Sequence, residues 1–235
     1  MANTDFKPAL IIVDVQEDFC PPVRPHPRPT SATQLTLPPP PERNPSSPQR
    51  PNHNSNNQPP PHPPLPPQIA TKDWHPANHT SFSSTHPGTH PFTSTTTITT
   101  PVGSYETKLW PDHCIQGTPG AELLPSLSLS RIDRVIEKGQ RQDIEMYSAF
   151  YDPHKCVDSG LKGILEREAV TDVFVVGLAF DYCVRATAVD AAAEGFRTWV
   201  VREATRAVDA AGWDEIVGEL KEKGVQVVSV YGEAV

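Results

Sequence analysis

Residues 21–68 constrain this chain more than any other stretch. They hold 19 of its 28 prolines, with four arginines, one glutamate, no glycine and no aromatic residue. Proline fixes φ and offers no N–H, so the stretch can hold neither a helix interior nor a central strand. It also carries too little apolar surface to offset the entropy of ordering, which predicts a disordered or polyproline II segment. A core must therefore come from residues 1–20 and 68–235. Charge divides the same way: of the formal −8, the tract carries +3 and the remainder −11.

That acidic balance argues against a nucleic-acid partner, which calls for a basic patch or stripe. Four cysteines (Cys20, Cys114, Cys156 and Cys183) stand at irregular spacing without C-x-x-C, suggesting neither a disulfide framework nor a zinc ribbon. The opening MANTDFKPALIIVDV lacks the basic start and long apolar run of a signal peptide, and no apolar stretch approaches the ~18 residues of a membrane span. The expectation is a soluble cytoplasmic protein with no membrane partner, a nuclear or peroxisomal pool being compatible.

Outside the tract, strand and helix signals alternate. Ala9–Val13 is a short apolar run, the pattern of a strand buried on both faces, and Gln68–Thr71 is a brief strand candidate. A polar loop is expected to follow through about residue 108, including the threonine run Thr93–Thr100. Residues 119–126 read as a short helix opened by Pro119, and Arg134–Glu137 as a strand. Then come a helix (Ser159–Ala169), a strand (Asp172–Leu178), an alanine-rich helix (Tyr182–Ala193) stopped by Gly195, a strand (Thr198–Val201), a helix (Gly212–Lys223) and a strand (Val225–Val230). Such alternation predicts an α/β fold, its mostly parallel sheet covered by helices on both faces.

In such sheets, ligands bind outside the carboxyl ends of the strands. Asp14, Lys138 and Cys183 all fall at or just past such ends, and together they offer a base, a cation and a nucleophile for amide hydrolysis. Cys183 lies in the predicted first helical turn, where free N–H groups favour a thiolate and could stabilise an oxyanion. A second group is "DWH": on an extended backbone Asp73 and His75 point to one side and can share an ion. His113 could be a third ligand and Glu145 a fourth, a mixed oxygen and nitrogen set that suits zinc, iron or manganese. His79, His86 and His90 lie in the same polar loop and are weaker ligand candidates, since such loops often carry histidine.

Six separated stretches in order, "ALIIVDVQEDFC", "ATKDWHPANHTSF", "LWPDHCIQGTPGAEL", "VIEKGQ", "EMYSAFYD" and "VVGLAFDYCVRATAVDAAAEGF", resemble the nicotinamidases of fungal type, within the isochorismatase-like cysteine hydrolases. The resemblance covers residues 7–20 and about 68–230. It implies a three-layer isochorismatase-like domain over 1–235, interrupted at 21–67, that hydrolyses nicotinamide to nicotinate and ammonia in NAD salvage. It implies Cys183 as nucleophile, Asp14 as base and Lys138 as third member of the catalytic set. It further implies Asp73, His75, His113 and Glu145 as ligands of a divalent metal, zinc first, with Phe19, Trp110 and Tyr147 walling the ring pocket. The N–H groups of Ala179, which follows a cis peptide, and of Cys183 form the implied oxyanion hole. A homo-oligomer is compatible.

The sequence departs from the family between Cys20 and Gln68, where a sheet-covering helix is expected and proline tract stands instead, as a frame error or an unspliced stretch would produce. Losing such a helix predicts a poorly stable or weakly active chain. Two other readings stand beside the nicotinamidase one. The first is hydrolysis of another small amide or carbamoyl compound. The second is an interaction protein whose "PPPHPPLPP" binds SH3-, WW- or EVH1-type domains, with an unselected linker as the plainer account of that stretch.

Overall fold

The structure is a computed structural model that describes residues 6–20 and 65–232. Of these, residues 6–20 and 66–232 belong to one compact unit. Its centre is a six-stranded sheet of β1 (Pro8–Val13), β2 (Gln68–Asp73), β5 (Arg134–Lys138), β6 (Asp172–Leu178), β7 (Arg197–Arg206) and β8 (Val225–Val228), in the order β5-β2-β1-β6-β7-β8. Every neighbouring pair in it is parallel.

Alternation along the strands sends Ala9, Ile11, Val13, Ile69, Ile136, Val173, Val175, Val200 and Val225 to one face. All are buried there with side chains of α1 (Leu161–Arg167), α2 (Arg185–Ala193) and α3 (Trp213–Glu222), among them Leu161, Leu165, Ala188, Ala191 and Leu220. The parallel sheet with helices is the fold the sequence predicts. Among the described residues all three α-helices serve this one face. On the other face Phe174 stacks on Trp199, with ring centroids 5.0 Å apart. The expected replacement of a covering helix, and the greater part of "PPPHPPLPP", fall on residues outside those described.

Three expectations change. The threonine run is no solvated loop: β3 (Thr95–Thr100) and β4 (Gly103–Lys108) form an antiparallel hairpin. Strand alternation buries Ile98 and Thr100 while Thr95, Thr97 and Thr99 face solvent, a pattern that six near-identical residues conceal. The helix expected over 119–126 shrinks to a single 3-10 turn, Pro119–Ala121. The chain beyond it is extended because it pairs with the segment after β1: Leu123 bridges Gln16, and Leu124 N donates to Val15 O at 2.9 Å. Finally, β8 ends at Val228, where the Glu203 carboxylate accepts from the Ser229 hydroxyl and the Val230 N–H and turns the chain.

Candidate active site

The carboxyl ends of β1, β2, β5 and β6 meet at one place. Asp73 and Lys138 are register partners on β2 and β5, and Asp14 follows the last residue of β1. Asp14 has φ 49°, a left-handed conformation that aspartate tolerates better than most residues. Beside it, β6 approaches β1 so closely that a Cβ on Gly177 would lie 2.0 Å from the Val13 carbonyl oxygen. Only glycine fits there, and this close approach brings the β6 end against Asp14.

Beyond β6 the Leu178–Ala179 peptide is cis. Residues Phe180–Val184 then form one π turn before α2 begins. Cys183 therefore sits in a π turn rather than in the first turn of an α-helix. Such turns recur at functional sites because the extra residue re-aims a side chain. The Asp181 carboxylate accepts from the N–H groups of Val208 and Asp209, at 2.9 and 2.8 Å, and ties the segment after β7 to the rim.

Lys138 is the hub. Its buried Nζ stands 2.9 Å from Asp14 Oδ2 and 3.4 Å from Cys183 Sγ, and it donates to Asp73 Oδ1 at 2.5 Å and to the Met146 carbonyl at 3.3 Å. Asp14 Oδ1 accepts from the Thr71 hydroxyl at 2.5 Å, while Oδ2 makes no well-angled hydrogen bond. Burial, partly offset by Lys138 and reinforced by Asp73, raises the Asp14 carboxyl to about 6. Asp73 responds oppositely. Burial resists its charge, but Lys138 with His75 and His113 holds it far below the ordinary carboxylate range. Burial works against the Lys138 charge as well, yet the two carboxylates hold its pKa well above the usual lysine value.

The sequence predicts a favoured thiolate at Cys183; the surroundings favour the thiol. Burial raises its pKa well above 9.0, Lys138 works against that, and Asp14 and Asp73 add to it. Burial of the sulfur is the main cause, the two carboxylates opposing what the ammonium would give. The Cys183 sulfur lies within 4.8 Å of an Asp14 carboxylate oxygen, so a base stands close to its proton.

Next to this group lies a donor set. One ligand atom each from Asp73, His75 and His113 falls within 4.8 Å of the others. His75 Nδ1 donates to the Gly139 carbonyl at 2.8 Å, and His113 Nδ1 to the Pro111 carbonyl at 2.7 Å. Those bonds turn each Nε2 toward Asp73 Oδ2, at 3.7 and 3.8 Å, where a neutral ring presents its lone pair. Two imidazoles so oriented and one carboxylate fit a divalent cation. Glu145 lines the same cavity outside this close group. Asp14, Asp73 and Cys183 also converge within 4.8 Å, but there the Lys138 ammonium already supplies the positive charge.

His79 is not part of the donor set. Its Nε2 donates to the Ile144 carbonyl at 3.0 Å and its Nδ1 accepts from the Ser81 hydroxyl at 2.8 Å, so both nitrogens are engaged. Burial lowers its pKa to about 4, and it is a neutral ring tilted against His75, with centroids 4.2 Å apart. His86 donates to the Thr80 carbonyl.

The cavity of about 440 Å³ opens over both groups. Phe19, Trp110 and Tyr147 line it, as do Ala179 and Cys183. Tyr182 and Phe92 are wall residues that sequence reasoning missed; Trp110 meets both edge-on, at 4.7 and 5.7 Å between ring centroids. Tyr182 stands next to the cysteine in sequence, so its wall position was within reach. Gln16 and Thr71 were also missed, and nothing in their sequence surroundings marks them.

Residues 71–231 match the isochorismatase domain model. The Schizosaccharomyces pombe nicotinamidase is 36% identical over 225 residues, covering 95% of this chain and 94% of that one. The structure of the yeast nicotinamidase bound to the inhibitor nicotinaldehyde is similar, with a TM-score of 0.72 and 27% identity over 94% of this chain and 99% of that one. So is that of the Pyrococcus horikoshii pyrazinamidase in complex with zinc, with a TM-score of 0.59 and 26% identity over 95% and 99%. The chain belongs to the isochorismatase domain family. Within it, the similarity runs to amide-hydrolysing members, the nicotinamidases.

Proposed function

We propose that this chain is a nicotinamidase: it hydrolyses the carboxamide of nicotinamide through a thioester on Cys183. The single observation that carries this is the joining of two groups in one aromatic-walled cavity. The Cys183 sulfur, 3.4 Å from the Lys138 ammonium and within 4.8 Å of an Asp14 carboxylate oxygen, adjoins a histidine–aspartate donor set. One group can cleave an amide, and the other can orient a ring that bears a lone pair.

In the reaction, Asp14 takes the thiol proton as the sulfur attacks the carboxamide carbon and the C–S bond forms. Lys138 stays protonated and holds the charge balance, and the N–H groups of Ala179 and Cys183 receive the oxyanion. Asp14 then gives its proton to the leaving nitrogen, the C–N bond breaks and ammonia departs. A water attacks the thioester with Asp14 again as base; the C–S bond breaks, and the proton returns to sulfur as nicotinate leaves. The resting pKa of about 6 leaves Asp14 ionised at neutral pH yet able to hold a proton in transit.

Asp73 Oδ2 and the Nε2 atoms of His75 and His113 would hold a divalent metal, zinc first with iron or manganese as alternatives, and Glu145 stands beside them. Such an ion supplies a Lewis-acid point for the pyridine nitrogen and thereby positions the ring. Phe19, Trp110 and Tyr147 pack on the ring faces and exclude water. In this reading the nicotinate produced feeds NAD salvage.

Ammonia release from nicotinamide tests the proposal: release by the wild-type protein and none by Cys183→Ala supports it, and no release by either sinks it. A cavity of about 440 Å³ is roomier than one pyridine ring requires, which favours a second reading, hydrolysis of a larger amide or a carbamoyl compound. Ammonia release from such compounds but not from nicotinamide selects it.

A further inference from the structure

The β3–β4 hairpin pairs with no strand of the main sheet, yet it reaches the site. Alternation along β4 places Tyr105 and Thr107 on one side, two residues apart. Their hydroxyls meet the segment Glu145–Tyr147 at the same spacing. Tyr105 Oη donates to the Glu145 carbonyl at 3.1 Å, and Thr107 Oγ1 lies 3.0 Å from Tyr147 Oη. Trp110 Nε1 also donates to Tyr147 Oη, at 2.9 Å; indole can only donate, which leaves the phenol proton of Tyr147 for Thr107. Between the two, the Met146 carbonyl accepts from Lys138 Nζ.

Residues 145–147 are thus held from two sides, by the hairpin and by the central lysine. This short segment carries the acidic side chain beside the metal donor set and the aromatic ring of the pocket wall. The hairpin has its own anchor: Tyr105 packs edge-on against His154 at 5.0 Å, and His154 Nδ1 lies 2.7 Å from Thr100 Oγ1.

We propose that the hairpin is a positioning element for metal and substrate, with Tyr105 setting where Glu145 stands and Thr107 fixing the Tyr147 ring. This rests on the nicotinamidase reading. The two residues act through different neighbours, so their effects separate. Tyr105 governs the cation and Thr107 the ring, and neither touches the reacting atoms.

The test uses metal-stripped full-length protein titrated with Zn²⁺ against a chromogenic chelator, alongside steady-state kinetics with nicotinamide, calorimetric binding of nicotinate and a thermal melt. Tyr105→Phe keeps the ring against His154 and removes only the hydroxyl. It should raise the zinc Kd about tenfold, as loss of a group that orients a ligand does, with the apo melt nearly unchanged. Thr107→Val keeps the shape and removes the partner of the phenol. It should raise KM about three- to tenfold with kcat little changed, the pattern of lost uniform binding, and Thr107→Ser should restore it. Thr97→Val, on the exposed side of β3, should change nothing. Wild-type zinc affinity in Tyr105→Phe, or wild-type KM in Thr107→Val, overturns the proposal. So does a parallel loss of stability, zinc and KM in both, which marks a plain scaffold. If the wild-type protein does not turn over nicotinamide, the functional reading fails, while the zinc and nicotinate titrations still decide the hairpin's role.

Discussion

The side-chain amide of Gln16 pairs with the main chain of Asp73 at both ends: Nε2 donates to the Asp73 carbonyl, and Oε1 accepts from the Asp73 N–H, each at 2.8 Å. A fully buried glutamine thereby substitutes for a strand neighbour at the point where β2 leaves the sheet. Gln16→Leu strands the Asp73 N–H and the carbonyls of Asp73 and Ala121, at about 1–3 kcal/mol for each unsatisfied group. The expected result is a lower unfolding midpoint in urea together with weaker metal retention, because Asp73 is released. Unchanged metal retention in a destabilised variant would show that Gln16 merely fills space.

The pH dependence follows from Asp14. In the proposed reaction its carboxyl must be ionised to accept the thiol proton, so kcat/KM should rise with pH through about 6. Thr71→Val removes a hydrogen bond that favours the ionised form and should move that limb upward. Stability carries two opposed contributions. The raised Asp14 value means the folded state keeps a proton that an unfolded aspartate loses near 3.8, so this group costs stability as pH rises from there to about 6. Asp73, held low, contributes stability above 3.8 that is lost as pH falls below it. A limb at the ordinary carboxylate value, unmoved in Thr71→Val, would remove Asp14 from the role of base.

Lys138→Met leaves Asp14 and Asp73 buried without their common partner. Breaking such a pair costs about 3–5 kcal/mol, and activity should vanish. Adding Asp14→Asn should restore much of the stability and none of the activity. Chemical denaturation of the single and double variants separates the two effects; a double variant as unstable as the single one contradicts the charge argument.

The resting thiol can be tested by alkylation. Asp14→Asn removes one of the charges that raise the Cys183 pKa and should speed carbamidomethylation of that cysteine at neutral pH, read by peptide mass. Slower labelling would mean that Asp14 was promoting a thiolate at rest.

Gly139 and Gly195 make a matched pair, with φ of 67° and 93°. Alanine strains the backbone at either site, but only at position 139 does a Cβ meet the His75 ring, 2.4 Å from Cε1. Both variants should lose on the order of 1–2 kcal/mol of stability, and only Gly139→Ala should lose metal affinity. Equal metal binding in the two would break the link between Gly139 and His75.

What could be read from the residues follows a physical divide. Val173 and Val175 lie in an apolar run that only a buried strand explains, and Asp14 and Lys138 stand where such runs end, so sheet and hub were both legible. The hairpin was not, because a burial pattern written in threonine has the same composition as a solvated loop. Gln16 and Thr71 escaped because their roles lie in hydrogen bonds to residues 57 positions away. The state of the Cys183 thiol was not legible because it depends first on how deeply the sulfur is buried, and then on which charges meet it in space.

The strand order also sets a schedule for the ribosome. β1 is central, but its neighbour on one side, β6, is not complete until Leu178. At about 5–20 residues per second, some 8–30 s separate synthesis of the two strands. Throughout that time Asp14 belongs to a half-built sheet, and neither Cys183 nor its π turn yet exists to meet it. Cys183 arrives only after the strand that pairs with the free side of β1, so the nascent chain cannot bring Asp14 and Cys183 together before that half of the sheet has begun.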